Sequence, residues 1–211
     1  MIERVRTKSV SQIEKFYNRI YKKGGYYSDK SFNKRALNIL GLSKKENARL
    51  LDIGCGQGTL LAAAEKYVKT YGVDISGEAI KKAKKNARKT KFKLSNAEKL
   101  PYPKEYFYYI VCMGSLEHFF DLDKSLKEMR RVLKHSGKII IHVPNSEYLI
   151  HKILRINTQG QINERLATEE EWRRIIKKYF AVKEVHKYNT RFYFQWIPKK
   201  YCCHFTFLCT K

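Results

Sequence analysis

Apolar residues recur along this chain with two periods. Between Ser9 and Lys23, Ile13, Phe16, Tyr17 and Ile20 fall on one face of a helix, with Ser9 or Ser11 placed to cap it. Gly24 and Gly25 mark a turn, and SFNKRALNILGL at 31–42 predicts a second short helix ended by Gly41. From about Ala48 the pattern changes, and short apolar runs alternate with helical stripes. Strands are expected at 48–52, 70–75, 91–94, 106–113 and 138–143. Helices are expected at 59–67, after a Ser76 cap with Ala79, Ile80, Ala83 and Ala87 on one stripe, and at 123–133. The run at 106–113 has the continuous apolar character of a strand covered on both faces. Such alternation describes an α/β chain whose parallel strands are joined by right-handed crossovers. Towards the end, Thr168 caps TEEEWRRIIKKYF, acids lead and lysines trail, and strands at 182–189 and 202–210 follow. A loop is expected at NTQGQ, 157–161.

The candidate chemistry starts at LLDIGCGQGTLLAAA, 50–64, and YGVDIS, 71–76. An apolar strand ends in Asp52, Gly54, Gly56 and Gly58 alternate, and a helical run follows. Glycines at such a turn accept positive φ and leave no Cβ between the backbone and a ligand. Asp74 closes the next apolar run, at the sheet edge where an acid can accept from the two hydroxyls of a ribose. A dinucleotide fingerprint requires G-x-G-x-x-G. Counting from Gly54 the third position is Thr59, and counting from Gly56 it is Leu61. Asp52 would also repel a pyrophosphate. A cationic nucleoside removes that objection.

These residues, with NAEKLPYPKEYFYYIVCMGSLEHF at 96–119 and KEMRRVLKHSGKIIIHVPN at 127–145, resemble the class I S-adenosylmethionine (SAM) methyltransferases in order and spacing. The resemblance implies a Rossmann-like, seven-stranded, mostly parallel sheet with a C-terminal antiparallel hairpin and helices on both faces. It implies a single domain over 1–211, with lid helices at 1–47, a SAM-binding core at 48–145, a substrate-side insert at 146–170, and the final helix and hairpin at 171–211. Gly54, Cys55, Gly56 and Gly58 would floor the SAM site, with Asp74 on the ribose, Ile75 and Ala97 beside adenine, and Asp52 towards the methionine ammonium. Asn96 stands where the family commonly has Asp, and its side-chain oxygen can still accept from the adenine amine. Met113 would lie near the methyl group, and S-adenosylhomocysteine would be the product. Tyr17, Tyr21, Tyr26 and Tyr27 are candidates to close over SAM or substrate, and ordinary packing also accounts for them.

For the transfer itself the sequence offers Glu117 and His118. His118 can serve as a base, since an imidazole of ordinary pKa is largely neutral near pH 7; the alternative is that both residues cap a turn. His142 reads rather as a hydrogen-bonded core residue. Arg165 in the insert is a candidate for an anionic substrate group, and an exposed surface arginine is the competing reading. No Asn-Pro-Pro-Tyr-like tetrad follows 106–113 and no Pro-Cys pair is present, which argues against DNA-base methylation. The pattern is most similar to the small-molecule group that includes ubiquinone and menaquinone biosynthesis enzymes.

The formal charge of +24 adds a second possibility. Such a field attracts RNA or an anionic membrane surface. Lysine, however, outnumbers arginine more than two to one and is spread over helix faces, the pattern of solvated surfaces. No run reaches the length of a membrane span, the N-terminus does not resemble a signal peptide, and a cytoplasmic location is expected. The five cysteines show no zinc spacing, so no metal is expected. Three readings therefore stand: methyl transfer from SAM to O or N, less readily C, of a small molecule; RNA or protein methylation; and SAM binding without turnover.

Overall fold

In a computed structural model, the residues described are 1–4, 7–26, 30–42, 47–148, 162–188, 198 and 201–211. Tyr27 and the NTQGQ loop lie outside them. Nine strands and six α-helices run in the order β1 (Ile2–Arg4), α1 (Val10–Lys22), α2 (Lys30–Leu40), β2 (Arg49–Ile53), α3 (Thr59–Ala64), β3 (Lys69–Asp74), α4 (Gly77–Asn86), β4 (Lys91–Leu94), β5 (Phe107–Met113), α5 (Leu122–Val132), β6 (Leu133–Pro144), β7 (Glu164–Leu166), α6 (Glu169–Lys177), β8 (Ala181–Tyr188) and β9 (His204–Thr210) among those residues. A short 3₁₀ turn, Leu116–His118, follows β5.

Seven strands form one sheet in the order β4-β3-β2-β5-β6-β9-β8. Strands β2 to β6 pair in parallel, and β9 enters antiparallel between β6 and β8. This is the α/β sheet with a closing hairpin that the hydrophobic pattern and the family resemblance describe. Strand alternation divides the core into two layers. On one face Ile110, Cys112, Ile139 and Ile141 pack with Leu126 and Met129 of α5 and Trp172 and Ile176 of α6. On the other, Tyr109, Val111, Ile140 and Leu208 pack with Leu37 and Leu40 of α2 and Leu60 and Leu61 of α3. Trp172 is fully buried because its indole N–H has a partner, donating to the carbonyl of Pro144 at 2.9 Å.

Side-chain caps start three of the six helices among the described residues, α4, α5 and α6. Ser76 accepts from the Ala79 amide at 3.1 Å, and Thr168 and Glu171 form a reciprocal capping box. At α1 the expected cap differs: Ser9 occupies the N-cap position but its side chain makes no cap bond, while Gln12 reaches back to the Lys8 amide at 2.8 Å. Helix α3 stops at Ala64, short of the expected Tyr67, as the chain turns to bury Val68 and enter β3.

Sequence patterning did not reveal one pairing. Strand β1 at the N-terminus lies antiparallel to β7, with Ile2 opposite Leu166 and Arg4 opposite Glu164. Part of the expected substrate-side insert is thereby fastened to the beginning of the chain.

Candidate active site

The sheet changes direction of winding between β2 and β5, and a crevice opens beyond the carboxyl ends of those strands. The turn after β2 and the turn after β5 meet there. Gly54, Gly56 and Gly58 have φ of 73°, 50° and 72°, the left-handed region anticipated for this turn. A Cβ on Gly54 would stand 2.4 Å from Ser115 Oγ, and one on Gly56 would stand 2.7 Å from the Tyr21 hydroxyl. Close approach, as well as backbone conformation, therefore requires glycine.

Asp74 ends β3 directly beneath this turn. Its two oxygens accept from the amides of Gly56 and Ser76, each at 2.8 Å. Burial raises its carboxyl to about 6, against those stabilising amide bonds. Asp52 is raised further, to about 8, by burial and by the neighbouring charge of Asp74. Two buried acids with no lysine or arginine lining their cavity among the described residues form a site that a positively charged ligand would relieve.

The cavity above them measures about 520 Å³, within the range of small-molecule sites. Asp52, Gly54, Cys55, Gly56, Asp74, Ile75, Asn96, Ala97, Met113 and His118 all line it, as do Tyr17, Tyr21 and Tyr26. Gly58 does not; it turns away to begin α3, where a Cβ would press on Ala83 at 3.0 Å. No lysine or arginine lines the cavity among the described residues, despite the net charge of +24.

The tyrosines reach the cavity because α1 is anchored over α4. Asn18 accepts from the Ser76 hydroxyl at 2.8 Å and from the Glu78 amide at 3.3 Å. Gln57, inside the glycine turn, donates to the carbonyls of Gly24 at 3.3 Å and Tyr26 at 2.9 Å. The leading helices are thus fixed to the glycine turn by side chains that carried no motif signal. Burial raises the Tyr17 and Tyr26 phenols, and the rings of Tyr17, Tyr21 and Tyr26 meet edge to face.

His118 meets Tyr17 edge-on at 6.1 Å between centroids, and its Nδ1 lies 3.1 Å from the carbonyl of Ile162. A carbonyl only accepts, so Nδ1 carries the proton and the lone pair of the neutral ring is on Nε2. That atom lies 3.8 Å from Oε1 of Glu117. Glu117 itself is 4 % exposed and is not part of the cavity lining. Its Oε2 is buried without a hydrogen-bond partner, and burial followed by the charge of Glu164 raises its carboxyl to about 8. Glu117 therefore lies on the Nε2 side of His118 but outside the cavity lining.

Arg165 is placed differently from the sequence expectation of an anion-binding or exposed residue. It is 7 % exposed, and its guanidinium donates to the carbonyls of Glu117, Phe119 and Phe120 and to the carboxylate of Glu3. Asn163 adds bonds to the carbonyls of His118 at 3.0 Å and Phe119 at 2.9 Å. Arg165 and Asn163 together hold the 3₁₀ turn in place, and neither lines the cavity. His142 makes the hydrogen bond expected of a core residue, to Thr206 Oγ1 at 2.8 Å, and lines the cavity as well. Among the described residues no cluster of three or more His, Cys, Asp or Glu could hold a metal ion.

A methyltransferase-domain family model matches residues 44–188. The chain belongs to the class I SAM-dependent methyltransferases. Among its relatives in this family is an uncharacterized methyltransferase, YcgJ, of Bacillus subtilis, 28 % identical over 165 residues that make up 72 % of this chain and 64 % of that protein. The ubiquinone/menaquinone biosynthesis C-methyltransferase UbiE of Rickettsia akari is 35 % identical over 108 residues, 44 % of this chain and 43 % of UbiE. The chain thus spans about half the length of these curated relatives. A geranyl diphosphate C-methyltransferase from Streptomyces coelicolor, solved with S-adenosyl-L-homocysteine, shares the methyltransferase fold at a TM-score of 0.68 and 16 % identity, covering 85 % of this chain and 76 % of that one.

The residues present suit a bound SAM. Its sulfonium and ammonium answer the two buried acids, no lysine or arginine among the described lining residues is there to pair with a pyrophosphate, and the glycine turn leaves the floor bare.

Proposed function

We propose that this chain transfers a methyl group from SAM to an oxygen or nitrogen of a small molecule. The observation that carries the proposal is a cavity whose lining brings two buried carboxyls together with His118 and aromatic side chains. When bound, SAM supplies an electrophilic methyl group on its sulfonium.

The chain's own part is to bind, orient and exclude water. In this reading Gly54, Cys55 and Gly56 form the floor, and Gly58 shapes the turn without contact. Asp74 uses its remaining lone pairs on the ribose hydroxyls. Ile75 and Ala97 flank the adenine. Asn96 Oδ1 already accepts from the Glu98 amide at 3.2 Å and has a second lone pair for the adenine amine. Asp52 faces the ammonium side, Met113 lies beside the transferred group, and Tyr17, Tyr21 and Tyr26 close the cavity from α1. His118 takes a proton at Nε2 from a hydroxyl or amine nucleophile, and Glu117, whose Oε1 lies 3.8 Å from that nitrogen, is a positioning residue.

The charge of +24 supports a second reading, RNA or protein methylation, with exposed Lys81, Lys84 and Lys85 on α4 as part of the contact surface. Incubating the protein with methyl-labelled SAM and fractionated cell extract separates the two. Label in low-molecular-weight organic material is the expected result. Label confined to RNA or protein would replace the first reading with the second, and no label in any fraction would overturn both.

A further inference from the structure

One part of the cavity takes no role in holding SAM in the reading above. It lies between the start of α2 and the ends of β5, β6, β8 and β9, next to Met113, which pairs with His142 across the sheet. Three rings packed on one another line it. Phe32 stands edge-on to His142 at 4.6 Å between centroids, and it meets Tyr188 at 5.2 Å and 48°. From below, His204 stacks on His142 at 4.7 Å and 20°.

Alongside the Tyr188 phenol and the Asn33 amide, the compartment presents the imidazole of His142. Burial and the adjacent His204 hold it well below the ordinary histidine pKa, so it is neutral near pH 7. Nδ1 is paired with the Thr206 hydroxyl, and no protein partner of Nε2 is found among the described residues. Thr206 can donate or accept, so Nε2 is an acceptor in one tautomer and a donor in the other. A ligand hydroxyl suits both tautomers, whereas a carbonyl suits only one.

Charge narrows the ligand further. An anion would enter a cavity with two buried acids and, among the described residues, no lysine or arginine in its lining. A cation is disfavoured at Tyr188, where the Arg35 guanidinium already sits 5.1 Å from the ring centroid. Ring edges and faces reward another ring beyond the area it buries.

We propose that Phe32, His142 and Tyr188 form the acceptor subsite, and that it takes an uncharged planar aromatic or conjugated ring bearing a hydroxyl, with the ring against Phe32 and Tyr188 and the hydroxyl on Nε2 of His142. The subsite deepens the methyl-transfer reading and rests on it for the place of the donor.

The test uses 2-naphthol, its saturated counterpart 2-decalol and unsubstituted naphthalene, titrated into the protein with and without S-adenosylhomocysteine. In the wild type 2-naphthol should bind about tenfold tighter than either of the others. Phe32→Leu and Tyr188→Leu should each weaken 2-naphthol by about tenfold while leaving 2-decalol within about twofold. His142→Phe should abolish the preference for 2-naphthol over naphthalene. S-adenosylhomocysteine affinity within about threefold of wild type in every variant shows that each is folded and that the donor site is separate. Equal binding of 2-naphthol and 2-decalol, or equal losses of both in the leucine variants, overturns the subsite. If S-adenosylhomocysteine fails to bind the wild type while 2-naphthol behaves as expected, the donor reading falls and the aromatic subsite stands.

Discussion

The glycine turn at 54–58 and the wall around His118 and His142 share the same cavity, but they are assembled in different ways. Most of the turn's parts come from one contiguous stretch, β2 to α4, and its decisive bonds are Asp74 to Gly56 and Asp74 to Ser76. The wall around the two histidines draws on α2, β5, the 3₁₀ turn, β6, β7, β8 and β9. Its key bonds join residues far apart in sequence, such as Arg165 to Glu117 and His142 to Thr206.

That contrast can be broken most severely at the turn. Gly56→Val places a branched side chain at φ 50° and against the Tyr21 hydroxyl. SAM affinity measured by calorimetry should fall by about a thousandfold. Retained affinity would mean that the turn yields and is not the fixed floor.

Titration sharpens the comparison at the acids beside that turn. Asp52 is raised to about 8 and Asp74 to about 6, whereas unfolded aspartates titrate near 4. The folded, ligand-free chain therefore holds protons that the unfolded chain has lost between about pH 4 and pH 8. These two groups make stability decline as pH rises through that window. Asp52→Asn should remove about 4 kcal/mol of the decline between pH 5 and pH 8, measured as the difference in unfolding free energy from wild type. Parallel pH profiles for the two proteins would show that Asp52 is not held protonated.

The distributed wall should respond in stability. Arg165→Ala leaves carbonyls of the 3₁₀ turn without their donors and Glu3 without its ion pair. Urea unfolding should show a loss of about 3 kcal/mol, because buried acceptors stripped of partners keep their desolvation cost. A loss below about 0.5 kcal/mol, typical of a surface arginine, would contradict the strut role.

The same contrast explains what the amino-acid sequence disclosed. Strand–helix alternation, the capping residues Ser76 and Thr168, and the acid-glycine turn are local patterns, and they anticipated the sheet and the crevice floor. Arg165 was misjudged because its partners are carbonyls on a turn more than forty residues away, and carbonyls leave no mark in a sequence. The pairing of β1 with β7 was invisible because three residues are too few to show alternation. His142 was read correctly as hydrogen-bonded, but its place in the cavity depends on Phe32 and Tyr188, which approach from opposite ends of the chain. Asn18 and Gln57, which tie the leading helices to the turn, belong to no motif.

The central claim, that the acid-rimmed turn is the seat of SAM, is tested most directly by calorimetric titration of SAM into wild type and Asp74→Ala, with unfolding curves confirming that the variant is folded. Loss of two charge-assisted bonds to the ribose predicts a fall in affinity of at least about a hundredfold. Unchanged affinity in a folded variant would contradict the account.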